Sequence, residues 1–97
     1  MKNVKQFEMT RARFDLAEYQ RFFPILYGEI QNEVGYNLDE GRQVLGVHRF
    51  AGNYFLLETR LNGKIQYTMT LDREIFYVDE LADAVAKLWD YVKDEFE

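Results

Sequence analysis

The stretch that most constrains this chain is Asn53–Leu71, two apolar-rich runs that meet at Asn62-Gly63. An Asn-Gly pair between such runs predicts a hairpin with a two-residue type I′ turn. That register pairs Leu61 with Lys64. It also places the apolar residues of the two runs on opposite faces, because a one-residue shift moves every side chain of a strand across the sheet.

A three-residue loop, Leu61-Asn62-Gly63, gathers the apolar side chains on one face instead. Arg60 then pairs with Lys64, and the glycine takes the left-handed conformation of a bulge, where it has no side chain to clash. We prefer this register because it gives the sheet one apolar face and one partly polar face. Tyr54 and Leu56 then point outward on the second face. The predicted core face consists of Phe55, Leu57, Thr59, Ile65, Tyr67, Met69 and Leu71.

A long helix is predicted before the hairpin. Asp15 can cap its first amides, and Glu18, three residues later, completes a capping box. Apolar residues recur at three- and four-residue steps, which predicts a helix to about Val34 with Gly35 as its stop. Pro24 interrupts this helix and predicts either a kink or a second segment that carries the proline in its first turn.

Further strands extend the hairpin into an antiparallel meander. Val44–Phe50 reads as a strand that pairs Phe50 with Tyr54, and Glu74–Val78 alternates as a fourth strand. Residues 1–13 suit either a short edge strand or a frayed helix, and their length does not let periodicity decide between the two.

The last helix is predicted from Glu80 to about Phe96, with Asp79 as its cap. The order of elements is therefore helix, three or four strands, helix. We predict one α+β domain over residues 1–97. It is a two-layer sandwich in which a Pro-kinked N-terminal helix and a C-terminal helix pack on one face of a three- to four-stranded antiparallel meander.

The same order of elements is found in double-stranded-RNA-binding domains. That family has a basic cluster at the start of its last helix, where this chain reads Asp79-Glu80-Leu81-Ala82-Asp83. Because order alone is a fold-level analogy, we assign no family.

Composition restricts the classes of partner. The net charge of −5 is concentrated in residues 74–97, which hold two cations and eight anions, or 2 − 8 = −6. This field repels nucleic acid and favours a protein partner with a basic surface. The absence of cysteine fits a reducing compartment, and no apolar run approaches the ~20 residues of a membrane span. We expect a cytoplasmic protein that does not act at a membrane.

Candidate partner-binding residues fall into an apolar group and an acidic group. Phe50, Tyr54 and Leu56 place apolar side chains on the sheet face that the two helices leave open. Either the N-terminal segment covers them or they form a homodimer or partner surface. The acidic group consists of Asp83, Asp90 and Asp94 on the last helix, which read as a solvated helix face or as a strip that recognises a basic protein.

His48 is the only histidine, and we interpret it as structural, because the sequence indicates neither a nucleophile nor an orienting carboxylate for it. Arg11 and Arg13 are interpreted as residues that flank a helix start. No phosphate loop, nucleophile elbow, calcium loop or dinucleotide fingerprint is present, so we predict no catalytic residue, cofactor or metal.

These observations favour a non-enzymatic, acidic interaction module that acts as a regulator or inhibitor through protein contacts. Three alternatives remain open. The first is a nucleic-acid mimic of the kind that phage-encoded inhibitors use, and the second is a structural homodimer. The third is a small-ligand binder or enzyme that uses His48 and nearby tyrosines.

Overall fold

The structure, a computed structural model, describes residues 3–13 and 15–96. Its helices are α1 (Val4–Met9), α2 (Leu16–Phe22), α3 (Pro24–Asp39) and α4 (Leu81–Val92), with 3-10 turns at Ala51–Asn53 and Lys93–Glu95. Its strands are β1 (Ala12–Arg13), β2 (Gln43–Phe50), β3 (Tyr54–Leu61), β4 (Lys64–Leu71) and β5 (Glu74–Val78). The strands form one antiparallel sheet in chain order. The predicted class is confirmed: an α+β fold with an antiparallel meander and helices packed on it.

The central hairpin turns through two residues. Asn62 and Gly63 have φ angles of 53° and 79°, so both lie in the left-handed region that a type I′ turn requires. Leu61 pairs directly with Lys64. The predicted three-residue loop is therefore wrong, and the local Asn-Gly signal identified the correct turn.

Helices cover both faces of the sheet, whereas the sequence-based arrangement placed them on one. Leu56 packs in one core with α1 and α4, and its neighbour Leu57 packs in another with α2 and α3. A sheet that is buried on both sides does not need one apolar and one polar face, so the face-matching criterion misled the choice of register. The first core consists of Phe7, Phe50, Leu56, Met69, Leu71, Ala84, Val85, Leu88, Trp89 and Val92. The second consists of Tyr19, Leu26, Ile30, Val47 and Leu57.

The predicted N-terminal helix is divided at Phe23. Asp15 caps α2 by accepting a bond from the Ala17 amide at 2.8 Å, and Pro24 occupies the first turn of α3. The helix continues past Gly35, the predicted stop. It ends at Asp39 instead, and Gly41, whose φ is 85°, follows the cap residue Glu40.

A Schellman motif forms this end, with the Gly41 amide bonded to the Leu38 carbonyl and the Arg42 amide bonded to the Asn37 carbonyl.

The N-terminal segment contains both structures considered for it, a helix followed by a short strand. Asn3 caps α1 by accepting a bond from the Gln6 amide at 2.9 Å. Phe7 is fully buried, and its ring stacks on Phe50 at 4.8 Å between centroids. Together with α4, this segment covers the sheet face that the sequence left open.

The outer strands and the last helix agree closely with the prediction. Phe50 pairs with Tyr54, and β5 spans the predicted residues. Within β2, a bulge at Leu45 shifts the register against β3. The last helix begins one residue later than predicted, because Glu80 and not Asp79 occupies the cap position. It ends at Val92 and not near Phe96, and a 3-10 turn over Lys93–Glu95 follows it.

Two glycines of α3 are expected to weaken that helix. Gly28 and Gly35 have no φ in the left-handed region, and an added Cβ at either position meets no atom within 4 Å. Replacing each by alanine is therefore expected to raise the free energy of unfolding by about 0.5–1 kcal/mol. Gly52→Ala is the contrasting variant, because its φ is 76° and its Cβ would lie 2.9 Å from Phe96. Urea unfolding should show gains for the first two variants and a loss for the third.

Candidate functional site

The ladder between β3 and β4 opens at one end of the sheet. Its pairs end at Leu57 and Thr68. Beyond them, Tyr54–Leu56 runs beside β2 while Met69–Leu71 runs beside β5. A cavity of about 480 Å³ lies at this opening. We name it the acidic cleft.

The acidic cleft is bounded by the sheet and by one helix from each layer. From α3 come Glu29, Asn32 and Glu33, and from α4 come Leu88 and Tyr91. The other lining residues are Gly52, Asn53, Tyr54, Phe55, Leu57, Thr68, Met69, Thr70 and Leu71. The cleft is therefore lined by residues of both faces of the sheet, because it lies where β3 and β4 separate.

Negative charge in the cleft is not balanced by a basic lining residue. Glu29 and Glu33 stand one helical turn apart on α3, and all the lining residues belong to the described part of the chain. The hydroxyl of Thr70 donates to Oε2 of Glu33 at 2.8 Å, which ties α3 to β4. The cleft thus has two carboxylates that share one helix face.

Two tyrosines that line the cleft bind further carboxylates, which do not themselves line it. The Tyr91 hydroxyl donates to Oδ1 of Asp72 at 2.6 Å, and the Tyr54 hydroxyl donates to Glu95. Burial, together with the bond to Glu95, raises the pKa of Tyr54 to about 12. The bond to Asp72 raises the pKa of Tyr91. Both phenols therefore stay protonated at neutral pH and act as donors that orient the carboxylates.

This arrangement has the chemistry of a site for an organic cation. A guanidinium or ammonium group gains charge-assisted hydrogen bonds from carboxylates. Aromatic faces add cation–π attraction when the cation lies within about 6 Å of a ring centroid. Tyr54, Phe55 and Tyr91 supply such rings beside Glu29 and Glu33.

The apolar group of predicted partner-binding residues is not exposed. Phe50 and Leu56 are 0% exposed and belong to the core beneath α1 and α4. The first of the two alternatives is the correct one: α1, together with α4, covers these two side chains, so neither is available to a partner. Tyr54, the third member, is half-buried and lines the acidic cleft.

The acidic group lies on the surface but outside the cleft. Asp83, Asp90 and Asp94 are all exposed. Asp83 stands in the first turn of α4, and Asp90 lies 3.5 Å from Nζ of Lys93. Among the described residues, no hydrogen bond or ion pair links any of the three to Tyr54, which binds Glu95 instead.

Sequence reasoning named one residue of the cleft, Tyr54, and missed the others. Glu29 and Glu33 were available as an i, i+4 acidic pair on a predicted helix, but nothing in the sequence places them against the sheet. Tyr91 lies on the exposed side of a helix whose opposite side was correctly predicted to be apolar. These residues come together because β3 and β4 separate beyond Leu57 and Thr68.

A second polar cluster surrounds His48, which is 1% exposed. Its Nδ1 lies 3.1 Å from Nη1 of Arg11, and its Nε2 lies 2.9 Å from Oε1 of Glu58. The same carboxylate oxygen accepts a bond from Arg13 at 2.6 Å. A guanidinium only donates, so Nδ1 is the acceptor and the ring proton resides on Nε2.

The His48 ring is therefore held neutral. Burial lowers its pKa, and the positive charges of Arg13 and Arg11 add to this effect, while the bond to Glu58 opposes it. Because both ring nitrogens are engaged within the protein, the geometry favours a structural role.

Comparison with protein-family models, with curated proteins and with solved structures finds no match for this chain. Within residues 3–13 and 15–96, no cluster of three or more His, Cys, Asp or Glu side chains is arranged to hold a metal ion. Over the same described residues, every helix is too short or too polar to cross a membrane.

Proposed function

We propose that this protein is a non-enzymatic interaction module that captures a basic side chain of a protein partner in the acidic cleft, and thereby regulates or inhibits that partner. The observation that carries the proposal is the lining of the cleft: carboxylates and tyrosines with no basic residue. The engagement of both nitrogens of His48 supports a role without catalysis.

The overall field of the protein supports the same class of partner. Residues 74–97 carry a net charge of −6, and they include Glu95, which binds Tyr54 at the cleft. A negative surface accelerates the approach of a basic segment, and the cleft then provides the close contacts. Arginine fits best, because its planar guanidinium bonds carboxylates bidentately and stacks on aromatic rings.

The test uses a fluorescein-labelled peptide with two arginines in a Gly-Ser background. A second peptide carries citrulline, the neutral analogue, at both positions. The double variant Glu29→Gln/Glu33→Gln is expected to weaken arginine-peptide binding at least tenfold in fluorescence anisotropy. Loss of even one charge-assisted hydrogen bond, about 1.5–3 kcal/mol, is sufficient for that change.

The matched control is Asp83→Asn/Asp90→Asn, which removes the same amount of charge outside the cleft. It is expected to change affinity less than threefold at physiological salt, because exposed charges at a distance are screened. Equal losses of affinity in both double variants would show that the general acidic surface, and not the cleft, recognises the arginine peptide. Equal affinity for the arginine and citrulline peptides would refute capture of a cation.

A further inference from the structure

The edge of the sheet next to β1 is open along most of β2. Among the described residues, β1 pairs only with His48 and Arg49. The segment Gln43–Val47 therefore has no strand on its outer side within the described chain. It contains no charged residue and no proline, two of the features by which proteins usually protect an exposed edge.

A second cavity, of about 410 Å³, runs along this open edge. It is lined by Gln43–Val47 and by Val34 and Leu38 of α3. The bulge at Leu45 brings Val44 and Val47 onto the same face of β2, since they pair with Thr59 and Leu57. We name this surface the edge groove. Part of its apolar lining is exposed to solvent, since Leu38 is 55% exposed.

We propose that the edge groove binds a short extended apolar segment of a partner protein by strand addition to β2. Strand addition requires an open strand edge for main-chain hydrogen bonds and a neighbouring pocket for alternate side chains. The edge groove provides both. Val47 is buried in the second core, so the accessible edge is Gln43–Gly46. These four residues offer roughly 13 Å of edge, which is enough for a short strand.

The size and twist of the groove favour a segment over a second copy of this chain. Seven residues line the groove, whereas each side of a stable protein interface contributes roughly 20–30 residues. A bulge also increases the local twist of an edge, which hinders continuation into a second rigid sheet. A flexible segment of a few residues can follow that twist. Because the groove lining is uncharged, the segment should carry apolar side chains at alternate positions.

The test selects binders from a phage-displayed library of random octapeptides against the full chain. Leu38→Lys serves as the counter-selection, because lysine suits the last turn of a helix but places a charge in the groove. Ile25→Lys is the matched control, since Ile25 is 81% exposed on the same helix and does not line the groove. Far-UV circular dichroism confirms that both variants fold.

Enriched peptides are expected to alternate apolar residues and to bind Leu38→Lys at least tenfold more weakly than Ile25→Lys. They should slow amide hydrogen exchange at Gln43–Val47, and N-methylation of alternate peptide residues should abolish binding.

Three results would overturn the proposal. One is that no peptide is enriched on the wild-type chain relative to Leu38→Lys. Another is that the selected peptides slow amide hydrogen exchange only at the acidic cleft. The third is a dimer in light scattering that Leu38→Lys dissociates, because a second copy would then occupy the edge.

Discussion

Replacement of Phe7 by alanine is expected to lower the free energy of unfolding by about 3–5 kcal/mol. The ring is 0% exposed and lies 4.8 Å from Phe50, 5.3 Å from Trp89 and 5.9 Å from Phe96, measured between centroids. It thus joins the N-terminal segment to the sheet and to α4. Since domains of this size are stable by about 5–15 kcal/mol, the variant should lose a large share of its stability in urea unfolding.

Met9→Ala is the matched control, because Met9 belongs to the same helix and is 84% exposed. It should change the free energy of unfolding by less than about 0.5 kcal/mol. Phe7→Leu keeps the site apolar and keeps the experiment informative if the alanine variant does not fold. Equal urea midpoints for Phe7→Ala and Met9→Ala would show that α1 does not belong to the core.

The hairpin shows which sequence signals were reliable. Asn62-Gly63 predicts its turn correctly from backbone conformation alone, because few residue pairs accept φ > 0 at both positions. The error came from adding a tertiary assumption, one polar sheet face. When apolar residues fall on both faces of a hairpin, their pattern alone does not tell whether both faces are buried or the register is wrong.

Most of the remaining fold followed from local signals. The cap at Asp15 and the apolar stripe of α4 depend on neighbours in sequence, and both were predicted. The start of a second helix at Pro24 was one of the two alternatives for that proline, the other being a kink. Gly35 and Gly41 show the limit of such signals, because both glycines can end a helix. The contacts after the helix decide between them.

The candidate site could not be predicted in the same way. Its lining carboxylates come from α3 and its lining tyrosines from β3 and α4, so no local pattern contains them. The opening of the β3–β4 ladder is also a tertiary property. Tyr54 stays paired with β2 and Met69 stays paired with β5, so β3 and β4 separate there. Charge composition located the acidity in residues 74–97 and did not single out Glu29 and Glu33.

The His48 cluster leads to a second large effect, which depends on pH. The pKa of this ring is lowered in the folded protein, so the unfolded chain binds the proton more readily as the pH falls below about 6.5. The contribution of His48 to stability is therefore complete above that pH and is lost as the pH falls toward the folded-state pKa. Protonation also turns the buried Nδ1 into a donor that faces another donor, Nη1 of Arg11, and an unsatisfied buried group costs about 1–3 kcal/mol.

Wild type is therefore expected to lose about 1–3 kcal/mol more than His48→Gln between pH 7.5 and pH 5, measured by urea unfolding at each pH. Two neighbouring variants sharpen the test in opposite directions. Glu58→Gln removes the carboxylate that favours the charged ring and should make the loss steeper. Arg11→Gln removes a repelling cation and should make it shallower. Parallel pH profiles for wild type and His48→Gln would show that His48 does not couple stability to pH.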